Sequence, residues 1–203
     1  MTAPVLRTVS NEIVGSGVSA LVSLLEEQAL ACFRQETRLE DLEIRDATPS
    51  PGPVIGQWLG VILLAGPSLR ITVKSFFGIS TIAGILAARM RCSPYSIAPS
   101  LVEDFVREFS NLYAGGVKRT LGNSGVSVGI SLPLVTRGFD EVFNGVAAKR
   151  EETRAVWSFA QPSSNPIFTV CVSVVLVDAE ALTNFVLPAQ TSDTPPADDM
   201  EFL

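Results

Sequence analysis

The stretch "LVEDFVREFSNLYAGGVKRTLG", residues 101–122, decides how the chain reads. At roughly 100° per residue on a helix, Val102, Phe105, Val106, Phe109, Leu112, Tyr113 and Val117 form one apolar stripe, which predicts an amphipathic helix with that side in a core. Asp104, Glu108 and Asn111 then fall within an arc of roughly 60° on the opposite side, with Gly115 and Lys118 continuing the same line. Two carboxylates and a carboxamide are thereby turned outward together. Any solvated helix face shows polar residues, and a second Glu-x-x-Asn, Glu141 with Asn144, occurs later in the chain, so spacing alone decides nothing.

The surroundings are informative. "WLGVILLAG" (58–66) and "LRITVKSF" (69–76) are strand-like, and Gly66-Pro67 between them is a turn signal suited to a hairpin. The second alternates, so it should have one wet face. "ISTIAGILAARM" (79–90) predicts a short helix starting at Ser80 or Thr81, and Pro99-Ser100 marks the start of the helix of interest. "VSVGISLPLV" (126–135), "AVWSFA" (155–160) and "PIFTVCVSVVLVD" (166–178) predict further strands, the last followed by another short helix. Residues 11–33 carry Ile13, Val14, Val18, Leu21, Leu25 and Leu30 at helical spacing behind a candidate N-cap, Ser10. "TPSPGPVIG" (48–56) reads as a loop, and residues 139–154 fit a strand end, a helix turn or a loop equally. The pattern is α+β, in a single domain over residues 1–187. The acidic, proline-bearing segment 188–203 is expected to be a disordered tail.

Composition removes several classes of function. The chain has 203 residues, 47% of them hydrophobic, enough for one sizeable core. Fifteen Lys+Arg against 21 Asp+Glu give a net charge of −6, and the basic residues are scattered, so nucleic acid is not an expected partner. The longest apolar runs fall short of the roughly 20 residues that cross a bilayer, so no membrane is expected either. "MTAPVLRTVSNEIV" lacks the pattern of an export signal, so a cytoplasmic location is expected. Cys32, Cys92 and Cys171 sit apart in apolar surroundings and read as buried free thiols. With no histidine, Ser-His-Asp and Cys-His triads and most zinc sites are excluded. Chemistry must run on carboxylates, amides, hydroxyls or a borrowed metal.

The order of an apolar-faced helix bearing D-x-x-x-E-x-x-N, then "GGVKRTL", then the strand "VGISLPLV" resembles the CheX/CheC family of chemotaxis phosphatases. "ISTIAGILAARM" is similar to the helix that precedes the motif helix there, and the resemblance spans about residues 56–138. It implies a CheC-like fold, with a long-stranded, mostly antiparallel sheet packed with amphipathic helices. It also implies removal of the phosphoryl group from the aspartate of a response-regulator receiver domain. Residue by residue, it makes Glu108 and Asn111 the catalytic pair, sets Asp104 at the leading acidic position, and aligns Pro133 with the family's proline, one residue closer than the family spacing. Asn111 would position the attacking water and Glu108 would pair with a receiver lysine. Asp104, Gly115 and Lys118 would be partner-binding, Gly115 by leaving room for close approach.

No cofactor of the chain's own is implied, since the acyl phosphate and a Mg²⁺ ion come with the phosphorylated receiver. Glu141 and Asn144 have Arg137 where the family has an acidic residue or serine, and that copy reads as coincidence. The opening helix carries no Glu-x-x-Asn, so the site should be single, as in the CheX branch. A homodimer is expected, with strand 166–178 either central or paired to its copy. Two alternatives stay open. One is a non-catalytic interaction module of the same fold, as in the middle domain of the flagellar motor switch protein, and the other is an α+β domain whose polar helix face is only solvated.

Overall fold

The computed structural model describes residues 11–46, 58–137 and 152–178, with Leu182, Thr183 and Phe185. Helix α1 (Asn11–Thr37) leads to a short strand β1 (Glu43–Asp46), and β2 (Trp58–Ala65) and β3 (Leu69–Phe77) form the expected hairpin. Then follow α2 (Ile79–Met90), a single 3₁₀ turn (Pro94–Ser96) and α3 (Pro99–Asn123). Strands β4 (Gly129–Ile130), β5 (Leu134–Arg137), β6 (Glu152–Ala160) and β7 (Phe168–Leu176) complete the described elements. The strands make one antiparallel sheet in the order β1-β6-β7-β3-β2-β4, with β5 also on β2. The fold is therefore α+β, as the sequence implied.

Alternation builds the sheet's inner face. In β3, Leu69, Ile71 and Val73 are buried while Arg70 is exposed, which seats one side against the helices and leaves the other to a smaller cluster of Leu59, Phe76, Val156 and Cys171. Phe33 of α1 is the hub of the main core. Its ring centroid lies 4.8 Å from Phe168, 5.2 Å from Phe159, 6.0 Å from Phe109 and 6.3 Å from Phe105, tying α1 and α3 to β6 and β7. Pro99 opens α3 at a position where its missing N–H costs nothing and its fixed φ suits the helix. Below the helix, a Cβ on Gly60 of β2 would stand 2.7 Å from Val106 Cγ1, so α3 rests directly on the strand.

One alternative left open by the sequence is decided, and several other expectations change. The long apolar strand is central: β7 pairs with β3 on one side and β6 on the other, so it cannot pair with a copy of itself. Among the described residues, the sheet's edges are β1 on one side and β4 with β5 on the other. The single strand read at 126–135 is two, because Ile130 pairs with Leu64 and Leu134 with Val61, so four steps on one side face three on the other. That is a bulge of one residue. Pro133 brings no N–H there, and Ser131 answers β2 instead, its N–H donating to the Leu63 carbonyl (2.9 Å) and its Oγ accepting from the Leu63 N–H (3.0 Å). Helix α2 starts at Ile79 behind Gly78 rather than at Ser80 or Thr81, and α1 continues to Thr37 rather than stopping at residue 33.

Cys92 is exposed, against the reading of three buried thiols, because α2 ends at Arg91 in the left-handed conformation and turns the chain outward. Among the described residues, no helix is long and apolar enough to cross a membrane. The N-cap Ser10, the pair Glu141 and Asn144, most of the ambiguous segment 139–154 and the tail 188–203 lie outside the described residues.

Candidate functional site

Helix α3 carries the residues singled out by the sequence, and its inner face is firmly seated. Val102, Val106, Phe109, Tyr113, Val117 and Leu121 are each fully buried along its inner side. Outward, Asp104, Glu108, Asn111 and Lys118 are all exposed. Gly115 is half-buried, yet a Cβ there would meet nothing within 4 Å. The five residues thus share one open line on a helix that cannot easily roll.

The inner stripe is rotated slightly from the sequence expectation. Leu112 is 36% exposed, whereas Ser110, which the stripe left out, is 2% exposed and donates from Oγ to the Val106 carbonyl at 2.7 Å. The cause is Gly60. Its bare Cα lets α3 settle with Val106 and Ser110 over β2, and this seating turns Leu112 to the rim.

Arg107, which the sequence reading passed over, organises the acidic residues. Its Nη1 donates to Asp104 Oδ1 at 2.8 Å and its Nη2 to Glu103 Oε2 at 2.9 Å. The signal was present as E-D-x-x-R, carboxylates three and four residues ahead of a guanidinium. Its consequence is selective. Asp104 is engaged within its own helix, while Glu108, three residues before Asn111, has no ion partner among the described residues.

Tyr113 on the buried side takes no part in surface chemistry. Its hydroxyl is buried, and burial first, then the nearby Cys32, pushes its pKa well up, so it stays neutral. A cleft of about 750 Å³ lies on another flank of α2, among Thr37, Arg38, Ile85, Asn165 and Ile167, and holds none of the expected site residues. A smaller groove of about 370 Å³ between α2 and α3 does include Asp104 and Glu108 on its lining. Chemically, the α3 line offers a carboxamide able to donate and accept toward one water, and a carboxylate able to bind a cation, both on open surface.

No family model matches the chain, and no curated protein matches it. Solved structures do. A chemotaxis protein CheX from Vibrio vulnificus is 20% identical with a TM-score of 0.58, over 77% of this chain and 98% of that one. A chain of the CheX-CheY-BeF3-Mg²⁺ complex from Borrelia burgdorferi is 17% identical with a TM-score of 0.54, over 76% of this chain and 96% of that one. A chain of the FliM-SpeE complex from H. pylori is 9% identical with a TM-score of 0.50, over 86% of this chain and 94% of that one. The fold is that of CheX and CheC-like proteins.

Proposed function

We propose that the protein is a phosphatase for the phosphoaspartate of a response-regulator receiver domain, in chemotaxis or a related two-component pathway. The observation that carries this reading is the α3 line. Glu108 and Asn111 stand exposed one turn apart, on a helix held by the core, in a fold that a CheX protein crystallised with CheY also has.

The partner brings the reactive group and, with it, the Mg²⁺ that neutralises phosphoryl charge. Asn111 holds one water in line with the phosphorus through its carboxamide oxygen and amide hydrogens. The water oxygen bonds to phosphorus as the bond to the aspartyl oxygen breaks. The aspartate leaves as a carboxylate, inorganic phosphate departs, and the water's protons pass to phosphate and solvent. A carboxylate is a good leaving group, so no general acid is needed. Glu108 binds a receiver cation and fixes register, and Asp104 and Lys118 act at the margin of the contact. Gly115 keeps that margin low. For a homodimer the described sheet edge at β4 and β5 offers Leu132 and Leu134, 91% and 60% exposed, and light scattering at micromolar concentration tests for it.

The test is a time course of phosphate loss from receiver domains phosphorylated with acetyl phosphate. Asn111→Ala is expected to slow hydrolysis by about 10² while binding is kept, because an amide acting on water contributes in the transition state. Glu108→Ala is expected to weaken both. A double change at Glu141 and Asn144 is the control and should alter neither. The likeness to a FliM chain favours one second reading, a binding module without catalysis. It holds if receivers bind but decay at their own rate with wild type and Asn111→Ala alike.

A further inference from the structure

We propose, building on the receiver-phosphatase reading, that the groove between α2 and α3 selects the receiver by taking an apolar side chain that is flanked by a lysine or arginine. The groove has a volume of about 370 Å³. Its floor is Leu86 and Phe105, each 6% exposed, and its rim is Met90 and Leu101, left 56% and 37% exposed. Apolar surface gathered around a recess in this way is the shape of an anchor pocket at a protein interface.

Charge identifies the occupant. Three carboxylates, Glu36, Asp104 and Glu108, border the groove, and each nearby guanidinium is already engaged. Arg89 donates to the Glu36 carbonyl at 2.7 Å and stands 3.9 Å from its carboxylate, and Arg107 is held by Asp104 and Glu103. Glu108 is left for a cation from outside. Glu108 borders the groove and lies three residues from Asn111, while Leu101 lies ten residues before it, about 15 Å along the same helix, so an anchor seated against Met90 and Leu101 is held at a set distance of nearly three turns from the proposed water site. Two contact points on one rigid helix set both position and orientation.

The test uses neutral polar replacements, so that only the apolar contact changes. Leu101 is the third residue of α3, where glutamine is well tolerated, and Met90 is exposed at the end of α2, so Leu101→Gln with Met90→Gln should melt with wild type. Each receiver domain encoded in the same genome is phosphorylated with acetyl phosphate for kinetics and loaded with beryllofluoride and Mg²⁺ for calorimetry. The double variant is expected to raise KM and Kd by about tenfold, with kcat within about twofold of wild type. Unchanged KM and Kd, alongside a kcat lowered by Asn111→Ala, overturn the groove and leave the phosphatase reading standing. Lost binding in the double variant, with hydrolysis indifferent to Asn111→Ala, supports the groove and removes the phosphatase reading. No receiver bound by wild type removes both, and a dimer that the double variant converts to monomer assigns the groove to a second copy of the chain and overturns the proposal.

Discussion

Gly115 and Gly116 are adjacent on α3 and should respond oppositely to the same methyl group. In a helix interior glycine is about 1 kcal/mol less favourable than alanine, so each Gly→Ala change begins with that gain. At Gly115 nothing offsets it, since the new Cβ meets open space. A shift of 1 kcal/mol moves Tm by about 2–4 °C in a chain of this size, and Gly115→Ala should raise it by that amount. At Gly116 the Cβ would stand 2.3 Å from Gln28 Nε2 and 2.5 Å from its Cδ. Gln28 must then move and give up its 3.3 Å hydrogen bond to Cys32 Sγ, which costs about 1 kcal/mol, so Gly116→Ala should be neutral or destabilising. Function should reverse the ranking. Gly115 lies on the proposed docking line, and a methyl that holds the receiver off by about 1 Å should lower kcat/KM by about 10- to 100-fold, while Gly116→Ala leaves it near wild type. Circular-dichroism melts and phosphate-release kinetics on the two variants check both halves. A Gly115→Ala variant that melts early refutes the open-space geometry, and one that hydrolyses phosphoreceiver at wild-type kcat/KM refutes close approach along this line.

Gly60→Ala should destabilise by about 1–3 kcal/mol in urea unfolding, because the new methyl meets Val106 Cγ1 at 2.7 Å and a β-branched side chain in a helix has little rotamer freedom to yield. The pKa of Glu26 is raised, by burial first and then by the carboxylates of Asp46 and Glu27, so its ionised form opposes folding. Stability from this group is therefore greatest below its unfolded pKa and is lost as pH rises through the folded one, and Glu26→Gln should melt above wild type at pH 7 with the gap closing as the pH falls below the carboxylate range. Among the thiols, Cys92 alone is exposed, so a disulfide reagent should modify one thiol quickly in the native protein and the other two only with denaturant, with burial raising the Cys32 pKa as a further brake.

Much of the fold was legible where one element carries its own pattern. The 25-residue helix α3 repeats apolar residues at helical spacing over its whole length, and the hairpin of β2 and β3 announces itself by alternation and Gly66-Pro67. What failed were features set by a second element. The roll that exposes Leu112 and buries Ser110 depends on a glycine 50 positions earlier, at residue 60. The split at Ser131 and Pro133 is a register mismatch with β2. Strand β1, "EIRD", has no apolar alternation and exists through its pairing with β6. The same division holds at the site: the outward line could be read from one helix, but the groove beside Glu108 needs α2 laid against α3.

Glu108 and Asn111 stand on open helix surface away from the cleft of about 750 Å³, which is consistent with a protein substrate. A small molecule needs a recess to be held, whereas a phosphorylated receiver arrives with its own metal, leaving group and surrounding pocket. On the proposed phosphatase reading, what such a substrate lacks is a fixed water, and fixing it requires a side chain whose backbone does not move. Asn111 is followed two residues later by Tyr113 and preceded two residues earlier by Phe109, both fully buried and stacked at 6.0 Å, so its Cα is held by the aromatic core on either side. Charge then has a narrow task. With Asp104 and Glu103 held by Arg107, Glu108 is the site's unpaired carboxylate among the described residues, and one exposed ion pair contributes about 1 kcal/mol or less. A single contact of that size can set register but cannot by itself distinguish one receiver from another, since all carry the same phosphoaspartate chemistry. On the same reading discrimination comes from shape, and in the groove that Glu108 borders the shape available is the apolar rim of Met90 and Leu101.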